Sequence, residues 1–216
     1  MRSFGYNDLL LLLEGLQWTV GIAFLALLFG GPLALLVAVM RTSKSFLLSG
    51  ISTAFIQLMQ GIPLLGLLMF FYFGVPLISG MNVPSIIAIL ITFMIYTAAF
   101  LGEIWRGSLQ AINSTQWEAA ACLGLSGAQQ FSHVIAPQAF RIALPSTVNF
   151  LVQLIKNTSL ASIVGFVELA RAGTISSAAT FQPLMVYSIV AAMYFSICFP
   201  LAFWAKKLEG KMHGVR

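Results

Sequence analysis

Hydrophobic residues follow one another along this chain in long runs that contain no charged residue. One run, 16–40, lies between Glu14 and Arg41, and a much longer one, 45–102, carries no charge at all. About 20 helical residues cross a bilayer core, so the longer run holds two crossings, and the Gly, Pro and Asn residues of 74–84 divide it. The pattern predicts five membrane spans, at about residues 16–40, 48–74, 84–103, 144–167 and 182–204.

Composition supports an all-α membrane protein. Of 216 residues, 59% are hydrophobic and 8% are charged, against about 25% charged in soluble domains. Soluble, disordered and disulfide-scaffold classes are therefore excluded. Lipid offers no partner to an unpaired backbone group, and runs of this length are about twice a barrel strand, so the spans are expected to be helices. We expect one transmembrane domain over residues 1–216.

Basic residues predict the orientation of the five helices. An odd number of spans places the termini on opposite sides, and short cytoplasmic loops are enriched in Lys and Arg. With the N-terminus outside, eight basic residues fall in cytoplasmic segments: Arg41, Lys44, Arg106, Arg141, Lys206, Lys207, Lys211 and Arg216. The outer segments then hold only Arg2 and Arg171. The sequence predicts an N-out, C-in topology. These charges are scattered beside apolar segments, so no nucleic-acid partner is expected.

The segment 104–141, between the third and fourth spans, is predicted to be a cytoplasmic loop. Thr115 and Glu118 have the spacing of a capping box, which predicts a short helix over about 116–123. One face of this helix carries an aromatic anchor beside three small residues, Trp117, Ala120, Ala121 and Gly124.

A second capping pattern, Ser126–Gln129, predicts another short helix, which Pro137 is expected to end or kink. From these residues alone, two interpretations of the loop stay open. It is either a linker resting on the lipid headgroups or a surface on which another protein docks.

A motif within the loop resembles a known family. Glu118–Ala120, Gly124 and Val134–Pro137 have the spacing of the EAA loop of bacterial ABC importer permeases, with Val134 and Ala136 in place of the family's Ile and Leu. Further segments resemble the branch of that family that takes up polar amino acids: Gln60–Leu65, Glu103–Gly107, Pro137–Arg141 with Ala143–Pro145, and Lys156–Leu160. The resemblance covers about residues 15–210.

The resemblance implies the permease subunit of a type I ABC importer for polar amino acids, in the bacterial inner membrane. In that family the EAA loop is a coupling helix that docks on a separate ATPase, which assigns ATPase docking to the loop 115–137. Within it the docking residues are Trp117, Glu118, Ala119, Ala120 and Gly124. The implied partners are an ATPase dimer, a second permease subunit (identical or paralogous) and an extracytoplasmic amino-acid-binding protein.

No phosphate-binding loop of the form G-x-x-x-x-G-K-[ST] occurs in the sequence. ATP and Mg²⁺ are therefore expected on the partner ATPase, with no cofactor bound by this chain. The chain itself is expected to be a non-catalytic transport subunit.

Two amides and a helix break mark the second predicted span. Gln57 and Gln60 share one face, and Gly61–Pro63 is expected to break the helix near mid-depth. Two interpretations stay open for this region, a wall of the translocation path or a structural kink with an interhelical hydrogen bond. The family usually has Arg where this chain has Gln60, so recognition by charge is not implied there.

A polar stripe follows the fourth predicted span. Asn149, Gln153 and Lys156–Asn157 recur at helical spacing. Lys156 lies near the middle of the span, where an unpaired charge costs about 2.5–3.5 kcal/mol. The residues assigned to the translocation path are Gln57, Gln60, Asn149, Gln153, Lys156, Asn157 and Ser159.

Two explanations of Lys156 stay open. It pairs with an acid such as Glu103 or Glu168, or its ammonium complements a substrate carboxylate in the path. The family carries an acid or an amide after this Lys. Asn157 stands here, so a preference for cationic amino acids is not implied.

Two other function classes fit less well. A self-sufficient secondary transporter of small polar solutes needs intramembrane acids and usually inverted repeats, whereas acids only border the spans, at Glu14, Glu103 and Glu168. An intramembrane enzyme needs a nucleophile and a base inside the membrane, and neither His133 nor His213 lies in a predicted span. Neither has companions at metal-ligand spacing, so no metal site is expected.

Two expectations concern packing and the outer surface. Small residues at Gly30–Gly31 and Ala98–Ala99 are expected to let helices approach closely. The segment Thr174–Thr180 is predicted to be an outer loop, either a solvated turn or a contact for the binding protein.

Overall fold

The computed structural model describes residues 3–43 and 45–213, and within these ranges it contains helices and no strand. Several basic residues used to predict the topology, Arg2, Lys44 and Arg216, lie outside the described residues. The side chains of Lys211 and His213 are also outside the described part.

Ten α-helices follow one another along the described chain. The first half forms α1 (Tyr6–Thr42), α2 (Phe46–Gly61), α3 (Leu64–Met69), a π-helical turn (Phe70–Gly74), α4 (Val75–Ser79) and α5 (Ser85–Gln110). The second half forms α6 (Ser114–Cys122), α7 (Gly127–Gln129), a π-helical segment (Gln130–Ile135), α8 (Ala136–Asn157), a 3₁₀ helix (Thr158–Val164), α9 (Leu169–Thr180) and α10 (Pro183–His213).

Three of these helices, α1, α5 and α10, are each long and apolar enough to cross a membrane. Two further helix pairs meet the same criterion together but are bent. Phe46–Gly61 meets Leu64–Ser79 at 99°, and Gly127–Val164 meets Leu169–Thr180 at 53°. The predicted five spans are reached when each bent pair counts as one crossing, and the orientation of the bundle stays a prediction.

α1 contains the first predicted span, 16–40, and extends beyond it, since the helix begins at Tyr6 with Asp8 in its first turn. Asp8 Oδ2 accepts a hydrogen bond from the Gly5 amide at 3.0 Å, and a carboxylate in the first turn is favourable to the helix dipole. The predicted outer loop Thr174–Thr180 is wrong, since this segment is the second half of α9, with Ser176 and Thr180 buried.

Glycine contacts bring α1 close to its neighbours. A Cβ atom built on Gly30 would lie 2.7 Å from Thr97 Cβ in α5, and one on Gly102 would lie 2.9 Å from Val37 Cγ1 in α1. The expected close packing at Gly30 is therefore confirmed, and Gly31 faces open space. Gly15 makes the corresponding approach to α9, where a Cβ would lie 2.9 Å from the Glu168 carbonyl carbon.

A buried carboxylate joins α1, α9 and α10. Glu168 is fully buried and caps α9 by accepting hydrogen bonds from the amides of Ala170 (2.8 Å) and Arg171 (2.9 Å). Its Oε2 also accepts from the hydroxyls of Tyr194 (3.0 Å) and Thr19 (3.4 Å). The Thr19 oxygen in turn accepts from the Leu169 amide at 3.2 Å, so every polar group at this junction has a partner. The junction fixes the start of α9 between the two long helices.

Candidate functional site

The loop helix α6 begins two residues earlier than the capping box predicts. Asn113 is the N-cap, and its Oδ1 accepts from the Thr115 amide at 3.1 Å. Thr115 lies inside the first turn, so the predicted capping box of Thr115 with Glu118 is wrong. Asn outranks Thr at N-caps, which explains the shift. Glu118 makes no hydrogen bond or salt bridge within the described ranges, and its carboxylate is exposed.

Backbone geometry explains why a glycine, Gly124, stands at the end of α6. Gly124 has φ +75°, in the left-handed region. Its amide donates to the Ala121 carbonyl at 2.9 Å, and the Leu125 amide donates to the Ala120 carbonyl at 3.3 Å. These two bonds form a Schellman motif, in which a glycine avoids the strain that a side chain causes. The chain turns at Gly124 in this conformation.

The rest of the loop is braced by side-chain amides. The second capping box forms, since Ser126 and Gln129 satisfy each other's amides. Gln138 Nε2 donates to the Val134 carbonyl at 2.9 Å and to Gln116 Oε1 of α6 at 3.3 Å. Pro137 does not end the helix, which continues from the π-helical segment into α8. It lies in the first turn of α8, just after the hydrogen-bond pattern changes from π to α.

The exposed surface of α6 differs from the predicted face at one position. Trp117 is 37% exposed, and Glu118 and Ala119 are exposed as well. Ala120 is 2% exposed, so its methyl group is not accessible to another protein, which corrects its place among the docking residues. Leu123, which the pattern did not single out, is 79% exposed. The accessible surface is therefore Trp117, Glu118, Ala119 and Leu123, with Gly124 shaping its end.

The predicted polar stripe lies on one face of α8. Asn149, Gln153 and Lys156 are exposed along it. The helical rise separates the Cα atoms of Asn149 and Lys156 by about 10 Å along the axis. Ser159 lies beyond the end of α8, in the 3₁₀ helix, where its hydroxyl donates to the Lys156 carbonyl at 2.8 Å. Asn157 at the border of this face is partly buried.

Lys156 has no acidic partner in the part of the chain that the structure describes. Glu103 is paired with Arg106, with Arg106 Nε donating to Glu103 Oε2 at 2.8 Å. Glu168 is held by the hydrogen bonds that cap α9. Both acids proposed as structural partners are thus engaged elsewhere, and the pairing explanation of Lys156 is wrong.

The predicted break in the second span is confirmed. α2 ends at Gly61, Ile62 is extended with φ −100°, and Pro63 precedes α3, so the chain turns by 99°. Gln57 and Gln60 are exposed on α2. Neither forms a hydrogen bond with a described residue, so the expected interhelical hydrogen bond is not found. The structure does not join these two glutamines to the polar face of α8.

Comparison with known proteins identifies the family. Residues 30–214 match the model of the binding-protein-dependent transport system inner membrane component. The chain belongs to this family. It is 36% identical over 211 residues to the probable amino-acid ABC transporter permease YckA of Bacillus subtilis, covering 98% of this chain and 91% of the relative. It is 34% identical over 203 residues to the glutamine transport permease GlnP of Escherichia coli K12, covering 94% and 93%.

Solved structures of two transporters share the fold of this permease. One is an amino acid ABC transporter crystallised with histidines, with a TM-score of 0.86 and 29% identity over 97% of this chain and all of the other. The other is the inward-facing MetNI methionine ABC transporter, with a TM-score of 0.75 and 18% identity, covering 95% of this chain and 97% of that one. The chain is an all-helical, multi-pass inner-membrane permease. Family membership supports the importer interpretation and not the self-sufficient transporter.

Two residues of the polar face were missed by sequence reasoning about this permease. The Tyr96 hydroxyl of α5 lies 3.5 Å from both Gln153 Nε2 and Asn157 Nδ2. Asn149 Nδ2 donates to Glu209 Oε1 of α10 at 3.1 Å. All three contacts join residues more than 50 positions apart, and no local pattern in the sequence signals such a pair.

Proposed function

We propose that this permease subunit belongs to an ATP-driven importer of polar amino acids. The named relatives support the substrate class, since they are permeases of amino-acid and glutamine transport systems. In this proposal the chain spans the membrane five times as one domain, with its N-terminus outside. It pairs with a second permease subunit, identical or paralogous, and a binding protein delivers the substrate from outside.

The energy comes from a separate ATPase dimer, which holds ATP and Mg²⁺ while this chain binds no cofactor and catalyses no covalent step. The ATPase docks on the loop 115–137. The support is geometric: Trp117, Glu118 and Leu123 project from a short helix that is capped at both ends and braced by Gln138. A braced, exposed helix with a carboxylate that has no described partner can transmit a movement of a docked protein to the spans, whereas a mobile linker cannot.

The observation that carries the transport role is the polar face of α8. An ammonium and two amides lie exposed on one face of α8, and no described acid forms a salt bridge with this ammonium. In contact with lipid this face would carry the full cost of a buried charge. It is favourable when it lines a water-filled path shared with a second permease subunit, where Lys156 can meet a substrate carboxylate.

Replacement of this ammonium tests the proposed path. The complete importer carrying Lys156→Met is purified, reconstituted in liposomes and supplied with binding protein, and ATP-driven uptake of labelled L-glutamine, L-arginine, L-histidine and L-glutamate is measured. We expect uptake to be abolished while the complex remains assembled, because the substrate loses its counter-charge. Lys206→Met, at an exposed position of α10, is the matched control and should transport normally. If Lys156→Met takes up substrate at the wild-type rate, the polar face of α8 does not line the translocation path.

A charge reversal tests the docking surface. Glu118→Lys should lose co-purification of the ATPase from detergent, since the exposed carboxylate lies beside Trp117 in the centre of the accessible surface. Glu14→Lys, on the exposed side of α1, makes the same reversal away from the loop and should retain the ATPase. Retention by Glu118→Lys would place docking elsewhere.

A further inference from the structure

The contact between Asn149 and Glu209 ties the polar face of α8 to the final helix. Asn149 is one of the exposed residues of that face, and Glu209 lies near the end of α10. The Nδ2 atom of Asn149 donates to Glu209 Oε1 at 3.1 Å, which is within the normal range for a hydrogen bond. The two residues are 60 positions apart, so the contact belongs to the tertiary fold.

The chemistry of this pair fixes the rotation of the Asn149 amide. An ionised carboxylate can only accept hydrogen bonds, whereas an amide has a donor side and an acceptor side. The NH₂ group of Asn149 must therefore point at Glu209, and its carbonyl oxygen Oδ1 points the other way. That oxygen has no donor among the described residues, and the Asn149 side chain is exposed. The face of α8 thus presents a free acceptor at this position.

The charges along the face are not neutralised within the described chain. Glu209 forms no salt bridge there, although Lys206 and Lys207 precede it on the same helix, and Lys156 has none either. The face therefore carries an acceptor backed by a carboxylate at Asn149 and an ammonium on the long side chain of Lys156, whose Cα lies about 10 Å further along the helix axis. A donor group of a ligand is favourable at the first position and a carboxylate at the second. Amino acids carry both groups.

We propose that Glu209 is a positioning residue, which holds the Asn149 carbonyl oriented to accept a hydrogen bond from the ammonium group of the translocated amino acid. This inference rests on the proposed function and adds the group that recognises the ammonium. Glu209 acts through Asn149 and does not itself touch the ligand.

The test uses the complete permease–ATPase complex purified in detergent. The binding constants of labelled L-glutamine, L-arginine, L-histidine and L-glutamate are measured on the wild type, and the tightest ligand is compared with its analogue in which hydrogen replaces the α-ammonium. Glu209→Gln keeps the size of the side chain but can turn either its oxygen or its nitrogen to Asn149. We expect the amino acid to bind about tenfold more weakly, because one charge-assisted hydrogen bond is lost. Binding of the analogue should not change.

A swapped pair provides the rescue. In the double variant Asn149→Asp with Glu209→Gln, the Gln nitrogen can donate to the new carboxylate, whose second oxygen is again an acceptor on the face. Binding of the amino acid should return to within about twofold of the wild type. Glu14→Gln, a charge removal at an exposed site of α1, is the control and should bind normally.

Three results would overturn the inference. In the first, Glu209→Gln binds the amino acid as tightly as the wild type does. In the second, Glu209→Gln weakens the binding of the amino acid and of its analogue equally. Either result would leave Glu209 as a structural link between α8 and α10. The wild-type complex could also show no saturable binding while ATP-driven uptake in liposomes proceeds, and then the proposed function would stand without this site. Failure of uptake for every amino acid tested would instead defeat the proposed function.

Discussion

Removal of the buried carboxylate at the start of α9 should destabilise the whole permease. Glu168→Ala deletes an acceptor that serves four donors, namely two backbone amides and the hydroxyls of Thr19 and Tyr194. Glu168 is fully buried, so these donors lie away from solvent. The perturbation therefore leaves donors unsatisfied on three helices at once.

The magnitude follows from the number of lost bonds. Loss of a helix N-cap costs about 1 kcal/mol, and each buried hydroxyl left without its acceptor costs about 1 kcal/mol or more. We expect a total of about 3 kcal/mol. For a chain of this size 1 kcal/mol corresponds to roughly 2–4 °C in melting temperature, so Glu168→Ala should lower Tm by about 10 °C. Glu168→Gln keeps one acceptor oxygen and should lower Tm by about half as much.

Thermal unfolding of the purified complex in detergent measures this effect, with the loss of monodisperse protein on heating as the signal. Glu14→Ala is the matched control, since it removes an exposed acid from α1 and should change Tm by less than about 2 °C. If Glu168→Ala melts together with this control, the junction of α1, α9 and α10 does not contribute to stability as described. A Glu168→Gln variant as unstable as Glu168→Ala would show that the charge, and not the number of acceptors, matters.

Two further predictions use neighbouring glycines as matched pairs. Gly30→Ala should lower the Tm of the complex, because its Cβ would lie 2.7 Å from Thr97 Cβ. Gly31 faces open space, so Gly31→Ala should leave Tm unchanged or raise it slightly. Equal Tm values for the two variants would contradict the close contact of α1 with α5. Gly124→Ala should strain the left-handed end of α6, where φ is +75°, by about 1–2 kcal/mol. It should reduce substrate-stimulated ATPase activity of the reconstituted importer. Gly127→Ala, at a position without a positive φ, should retain that activity, and an unaffected Gly124→Ala would show that the turn is not needed for coupling.

The helices and the breaks between them were largely predictable from the sequence. Charge-free runs of about 20 residues, the break at Gly61–Pro63 and the turn at Gly124 each depend on residues close together in the chain. Lipid and backbone sterics act on such segments locally, so the pattern is sufficient. The error at 174–180 arose because Ser176 and Thr180 are polar residues of a segment predicted to be a loop, whereas the fold buries them inside α9.

Contacts between distant segments were not predictable. The sequence indicates Glu168 as an acid at the border of a span and a candidate partner of Lys156, yet its carboxylate accepts a hydrogen bond from a hydroxyl 149 positions away in α1. Glu209 and Tyr96 reach the polar face of α8 from α10 and α5, and neither has a spacing that relates it to Asn149 or Gln153. A single sequence contains the residues of such a site, but it does not show how the helices pack to bring these residues together.

The glycine contacts of α1 have a mechanical consequence for transport. At Gly15, Gly30 and Gly102 the backbones touch side chains of the facing helix with no space for a methyl group. Sliding α1 by a single residue, about 1.5 Å, would drive larger side chains into these notches. We therefore expect α1, α5 and α9 to move as one body. We expect the helix movements of a transport cycle to take place at the two bends, between α2 and α3 and between the 3₁₀ helix and α9.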